Sequence, residues 1–196
     1  MGNNKSNGKN HSADRESVRR EIRLAVQHDG NLQHLLSSTL EILVKHLADS
    51  ASIDLVEDDG SITHAMTRDN DGHRQDLLSN HRDGHPLPLT SSYGYPRVIK
   101  TGKSQFITGV SERIAGRLFP QPEAELVLDG LIVRSFICVP LIARQHTLGA
   151  LTLLTVGTNR TLDSDDLLLA EEIATLIAEG IHVHLRAKWQ IPTKKE

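Results

Sequence analysis

Few residues in this chain have the type and spacing for chemistry. Its one cysteine, Cys138, excludes an internal disulfide, a clustered-thiolate metal site and any redox exchange that needs a resolving thiol. Cys138 also lies inside the apolar run Ser135 to Ala143, where a free cysteine acts as a small hydrophobe. The eleven histidines raise the question of a metal or a haem. His64, His73, His81 and His85 fall in or near a polar stretch, but no pair has the i, i+4 spacing with a third carboxylate that marks a zinc site. His182 and His184, two apart on a helix, point in different directions. The histidines are therefore read as solvated surface residues with no metal site, while spacing neither identifies nor removes a single axial haem ligand. Gly102-Lys103-Ser104 has the ending of a phosphate-binding loop, but the glycine required five residues earlier is Arg97. With no nucleophile elbow and no paired catalytic carboxylates either, a role other than catalysis is expected. The opening MGNNKS has the spacing of an N-myristoylation signal with Gly2 as acceptor. One acyl chain with only Lys5 and Lys9 beside it gives marginal membrane binding, so no membrane anchoring is expected.

The elements that must position such residues can be read from period and caps. Residues 1–11 have almost nothing to bury and are expected to form a disordered tail. A first helix is expected within residues 12–30, starting after Ser12 or Asp14, with Val18, Ile22, Ala25 and Val26 at helical spacing and a stop at Asp29-Gly30. Asn31 can cap a second helix whose stripe is Leu32, Leu35, Leu36, Leu40, Leu43, Val44 and Leu47. Two antiparallel strands flank the turn Asp58-Asp59-Gly60. From Thr67 to Thr90 the chain is polar, with one short helix anchored by Leu77, Leu78, Leu87 and Leu89. A helical turn from Tyr93 to Thr101 ends at Gly102, Ser104 to Thr108 is a short strand, and a short helix from Glu123 to Leu131 follows Pro120 and Pro122. Ser135 to Ala143 and Leu148 to Val156 are apolar on both faces and read as central strands, with Gly149 marking a close approach. A long helix capped at Asp163 or Ser164 runs to about Trp189 and carries two apolar stripes. One, through Ala170, Ile173, Ala174, Ile177, Ile181 and Leu185, covers the sheet; the other, through Leu169, Leu176, Gly180, Val183 and Ala187, is expected to meet a partner helix.

Composition sets the outer bounds. At 196 residues, 38% hydrophobic and 24% charged, the chain can bury one core. Lys plus Arg number 22 against 25 for Asp plus Glu, a formal net charge of -3 that offers nucleic acid no electrostatic footprint. No apolar run is long enough for a membrane span and no secretory signal opens the chain, so a cytoplasmic location is expected.

The order of these elements, with Asp58-Asp59-Gly60, IKTGKSQFI, Pro140-Leu141 facing Gly149-Ala150-Leu151, and Leu162-Asp163-Ser164-Asp165-Asp166-Leu167, resembles a GAF domain over about Leu32 to Leu185. The resemblance implies an α+β fold: a central antiparallel β-sheet with the N- and C-terminal helices on one face and a loop and short-helix pocket on the other. It assigns residues 31–188 to the GAF-like domain, leaving 189–196 as a C-terminal tail. It also implies sensing or regulation in signal transduction, with a small ligand in the pocket and output through helix-mediated dimerisation or partner contact. The alternative within the family is a ligand-free dimerisation or docking module. Covalent bilin attachment is disfavoured by the position of Cys138, and the reductase activity found in the family by the lack of a second thiol. The cyclic-nucleotide signature has only a loose echo in Asn159, Arg160, Leu162, Asp165 and Asp166, which helix capping explains more simply. A haem stays open, and the cofactor is unassigned. If the pocket is used, loops on the rigid sheet should wall it, which selects Tyr93, Tyr95, Arg97, Arg113, Phe119 and Asp129 as ligand-binding candidates. Two of the chain's six aromatics flank Gly94, and Arg97 or Arg113 can pair with an anion. The expected assembly is a homodimer through the N- and C-terminal helices. The length leaves no room for a kinase, cyclase or helix-turn-helix, so the output is expected from a separate signalling protein, unless this chain is an excised piece of a larger one.

Overall fold

The computed structural model describes residues 5–28, 30–84, 86–118, 133–157 and 160–189. In chain order they form α1 (Lys5–His28), α2 (Leu32–His46), β1 (Ser50–Val56), β2 (Ile62–Asp69), α3 (Gly72–Gly84), α4 (Tyr95–Thr101), β3 (Gln105–Thr108), α5 (Glu112–Leu118), β4 (Val133–Ala143), β5 (His146–Val156) and α6 (Ser164–Trp189). The strands make one antiparallel sheet in the order β2-β1-β5-β4-β3, the α+β arrangement expected.

Local chemistry explains most boundaries. The Asn31 side chain accepts the His34 N–H at 2.8 Å and starts α2. The β1–β2 turn closes where Asp59 Oδ1 accepts the Ser61 N–H at 2.9 Å and Gly60 takes φ +81°, a left-handed conformation open to glycine. At the other hairpin, Arg144 and Gln145 adopt φ 51° and 69°, the double left-handed turn whose twist matches the strands it joins. The connector is therefore only those two residues, because β5 begins at His146 rather than Leu148. α1 begins at Lys5, ahead of the expected start near Ser12, since apolar periodicity cannot register turns that carry no apolar residue. α5 was not anticipated: Ile114 and Leu118 are its few apolar positions and Gly116 interrupts its pattern. The short helix expected over Glu123 to Leu131 lies outside the described residues, as does the acceptor Gly2.

β5 is the middle strand and β4 its neighbour, and side chains from both are buried on each face. Ile137, Val139, Leu141, Leu151 and Leu153 meet α1, α2 and α6 on one face. On the other, Phe136, Cys138, Ala150 and Leu154 meet Tyr95 and Val98 of α4, with Leu78 and Leu87 beside them. In the polar stretch Leu78 and Leu87 are thus anchors, while Leu89 is 60% exposed. At Gly149 a Cβ would stand 2.1 Å from the Asp54 carbonyl oxygen, so the predicted close approach is that of β1.

The second stripe of α6 is spent within the chain, contrary to the expected partner helix. Leu169 is fully buried, and a Cβ at Gly180 would lie 2.8 Å from Leu35 Cδ2 and 3.4 Å from Val26 Cγ1, so α2 and α1 cover that side. Of this stripe's described side chains Val183 alone is exposed, at 63%. Apolar breadth on a helix says that two sides are covered but not by whom.

α1 also binds α6 through charges. Arg15 donates to Asp166 Oδ1 at 2.8 Å, to Asp165 Oδ2 at 3.1 Å and to both oxygens of Asp163 at 2.6 and 2.7 Å. Arg19 and Arg23 reach Glu172 at 2.8 and 3.2 Å. Successive partners follow one another along both helices, so the two run parallel. The same aspartates cap α6: Asp163 Oδ1 accepts the N–H groups of Asp165 and Asp166, and Asp166 Oδ2 accepts that of Asp163. Burial pushes the Asp163 carboxyl up, but the Asp166 N–H and the Arg15 guanidinium outweigh it and hold the group below its ordinary value. Hydrogen bonding from Arg19 likewise holds Glu172 below its own.

Candidate functional site

The residues Ser91 to Arg97 build the site from a strained turn. Gly94 takes φ 74°, and a Cβ there would stand 2.8 Å from Leu87 Cδ1, so the position requires glycine on two counts. That geometry sends the two flanking tyrosines in opposite directions. Tyr95 turns inward, is 4% exposed and accepts the Leu87 N–H at its hydroxyl oxygen at 2.8 Å. Tyr93 turns outward and is half-buried.

The segment is strapped to β3 by one side chain. Gln105, itself buried, accepts the Gly94 N–H at 2.7 Å and donates to the Ser92 carbonyl at 3.2 Å, so one amide grips the peptides on both sides of Tyr93. The Ser91 hydroxyl adds a local clamp, donating to the Tyr93 carbonyl at 2.8 Å and accepting its N–H at 3.2 Å. Arg117 of α5 stands over the Tyr93 ring, 5.7 Å from its centroid, in cation–π contact.

Between this segment, the outer edge of β3 and α5 lies an open cleft of about 450 Å³, lined by Ser92, Tyr93, Arg97, Gln105, Ile107 and Arg117 among others. That volume is in the range of small-molecule sites. A second hollow of about 340 Å³ shares Ser92, Tyr93 and Arg117, so the Tyr93–Arg117 pair divides the two. The opposite situation holds under Tyr95. There the sheet face is filled, and a void of about 20 Å³ remains between Gly94, Phe136 and Leu154, room for about one water.

The structure thus brings Tyr93 and Arg97 together at the cleft and separates them from Tyr95, a core post beneath it. Arg113 is exposed on α5 outside the cleft lining, while Phe119 and Asp129 lie outside the described residues. Gln105 and Arg117 are the contributors that sequence reading missed. Arg117 sits one helical turn after Arg113, and recognising α5 would have raised the question of which arginine faces inward.

Other residues singled out by sequence find plain roles. His64 is not a solvated histidine: it is buried beside Asp54, Nδ1 to Oδ1 3.3 Å, with Nε2 3.0 Å from Thr67 Oγ1, because β1 and β2 pair Asp54 directly with His64. Cys138 is fully buried and accepts the Thr152 hydroxyl at 3.4 Å. Gly102 is the left-handed C-cap of α4. Asp165 and Asp166 are engaged by the α6 cap and by Arg15, Arg160 donates to the His46 carbonyl, and Asn159 lies outside the described residues. Among the described residues no group of three His, Cys, Asp or Glu side chains is placed to hold a metal ion, and no helix is long and apolar enough to cross a membrane.

The GAF domain profile matches residues 29–182. No curated protein matches the chain. Among solved structures, the GAF domain of a phosphoenolpyruvate-protein phosphotransferase from Coxiella burnetii superposes with a TM-score of 0.66 at 20% identity, covering 91% of this chain and 98% of that one. The corresponding domain from Acinetobacter gives 0.64 at 17%, covering 88% and 93%. A free methionine-R-sulfoxide reductase from Neisseria meningitidis, in complex with its substrate, gives 0.62 at 17%, covering 90% and 93%. At such identities these likenesses concern the fold alone.

Proposed function

The chain belongs to the GAF domain family, and on that premise we propose that it is a cytoplasmic sensory domain in signal transduction whose small-molecule ligand occupies the cleft beside Tyr93. GAF domains are generally sensory or regulatory, and the fold itself leaves the ligand open. The observation that carries the reading is the strapped Tyr93 segment: Gln105, Ser91 and Gly94 hold an aromatic ring at the mouth of a 450 Å³ cleft. Organising a ring before binding lowers the entropy lost when a ligand arrives. The same strap links the cleft to β3, which pairs with β4, whose far face carries the helical layer. Occupancy of the cleft is thereby coupled mechanically to α1 and α6, through which the signal passes to a separate signalling protein or a second copy of the chain.

The experiment is purification from cells under native conditions, followed by absorption spectroscopy and mass spectrometry of whatever denaturation releases. The expected result is a co-purifying small molecule that Tyr93→Ala loses. Its re-addition at a hundred times its dissociation constant stabilises the protein by about 2.7 kcal/mol. A released molecule whose binding ignores Tyr93 would overturn the assignment of the cleft. The second reading, a ligand-free docking or dimerisation module, is favoured by the filled sheet face under Tyr95 and by Leu24 and Leu168, 51% and 63% exposed on the outside of α1 and α6. A protein that releases nothing, yet forms dimers broken by Leu168→Asp, would replace the first reading with this one.

A further inference from the structure

We infer that the cleft selects a small organic anion: a carboxylate or phosphate held by Arg97 and Arg117, with a flat or apolar body lying against Tyr93 and Ile107. The inference rests on the proposed use of the cleft and adds the chemical class of what fills it.

Charge is the first argument. Six arginines elsewhere, Arg15, Arg19, Arg23, Arg68, Arg74 and Arg144, face carboxylates within 4 Å. Among the described residues Arg97 and Arg117 have no carboxylate partner, and none of those lining the cleft they share is acidic. In a chain of net charge -3, the described lining of this hollow therefore concentrates positive charge.

Preorganisation is the second. Arg117 is held by its contact with the Tyr93 ring, and that ring is fixed through the Ser91 and Gln105 hydrogen bonds to its own and neighbouring peptides. A guanidinium stacked on an aromatic retains its in-plane N–H donors for a third partner. Arg97 rises from the first turn of α4, whose start is set by the same Gly94. Two forked donors lining one cavity match the oxygens of a carboxylate or phosphate better than any neutral group.

Size and lining complete the class. A cleft of about 450 Å³ accommodates a compact molecule rather than a polymer, and a net negative protein repels extended polyanions. Ile107 and the Tyr93 ring supply an apolar seat, so a bare inorganic ion would leave half of the lining unused.

The test uses four probes on the full chain, followed by amide and arginine Nε NMR signals: phenyl phosphate, benzoate, inorganic phosphate and neutral benzyl alcohol. The expected result is saturable movement of the Tyr93, Gly94 and Gln105 amides and of the Arg97 and Arg117 Nε signals with phenyl phosphate or benzoate. Arg97→Gln and Arg117→Gln should each weaken that binding about tenfold or more, whereas Arg113→Gln, on the same helix but outside the cleft, should leave it unchanged. Which of the two anions binds more tightly separates a phosphate from a carboxylate ligand. Unchanged spectra outside the cleft establish that each variant is folded, and Arg117→Lys, which keeps the charge, should bind between wild type and Arg117→Gln. Benzyl alcohol binding as tightly as benzoate at the same amides would overturn the anionic class while leaving the cleft as the site. Inorganic phosphate binding as tightly as phenyl phosphate would overturn the seat for the organic body. Binding that survives Arg97→Gln with Arg117→Gln, or no response of these amides to any probe, would overturn the inference, and the last result would also count against the cleft itself.

Discussion

Replacing Arg15 with methionine should destabilise the protein by about 2–3 kcal/mol, and the structure says where that figure comes from. The methionine keeps most of the apolar stem and removes only the guanidinium. Two of its contacts, with Asp163 and Asp165, involve carboxylates 56% and 68% exposed, which limits each to about 0–1 kcal/mol. The third, Nε to Asp166 Oδ1 at 2.8 Å, joins an arginine side chain 13% exposed to a carboxylate 3% exposed, a charge-assisted bond worth about 1.5–3 kcal/mol. Asp166 keeps the Asp163 N–H at 3.0 Å and the positive end of α6, so the loss falls short of the roughly 3–5 kcal/mol of a buried charge left alone. Thermal unfolding should then begin about 5–10 °C lower for a chain of this length. Denaturant titrations of Arg15→Met, Asp166→Asn and the double variant isolate the pair, with an expected coupling of at least about 1 kcal/mol. A further signature separates charge from packing: Asp163 is held below its ordinary value of 3.8 in part by Arg15, so the difference between Arg15→Met and wild type should shrink as pH falls through that lower folded value. A loss below about 0.5 kcal/mol at neutral pH, or a loss that stays the same as pH falls through the folded value of Asp163, would refute the account.

Other perturbations probe different links. Gly149→Ala places a methyl group against the Asp54 carbonyl, where neither strand can yield cheaply, and should cost about 3 kcal/mol or more by calorimetry, whereas Gly72→Ala, with open space around it, should cost almost nothing. Tyr95→Phe leaves the Leu87 N–H without its acceptor and should cost about 1–2 kcal/mol, read as loss of hydrogen-exchange protection at Leu87. Asp163 and Glu172 are held below their ordinary values of 3.8 and 4.5, so their stabilisation is present above those values and is lost as pH falls through the lower folded ones. Acid titration should accordingly loosen the α1–α6 seam before the sheet, as followed by exchange at Arg19 and Glu172. Persistence of α1 protection after the sheet has opened would contradict that order.

How much of this was legible in the sequence depended on distance along the chain. The Asn31 cap, the Asp58-Asp59-Gly60 turn and the β4–β5 hairpin are settled by residues within a few positions, and each appears where its pattern places it, the hairpin with β5 starting two residues early at His146. The partner of a surface is not local. Leu169 and Gly180 announce a covered face, yet the cover is Leu35 and Val26, more than a hundred residues earlier. His64 reads as a surface histidine until the register, shifted by an irregularity between Ile53 and Asp54, sets it against Asp54. The cleft divides the same way. Tyr93 and Arg97 are near enough in sequence to suggest one another, while Arg117 joins them only because β3 and α5 return the chain to that edge.

The parallel seam between the first and last helices has a consequence in time. Arg15 and Asp166 are 151 residues apart, so at roughly 5–20 residues per second about 8–30 s of synthesis separate the two halves of one contact. Through that interval Val18 and Ile22, wholly buried in the finished protein, have α2 as the nearest apolar surface to lean on. Closing so long a loop costs more chain entropy than any local contact, and contacts of such sequence separation form late. The seam therefore belongs to the end of folding and to the start of unfolding. Changes in it should register in how long the native protein lasts, and scarcely in how fast it forms.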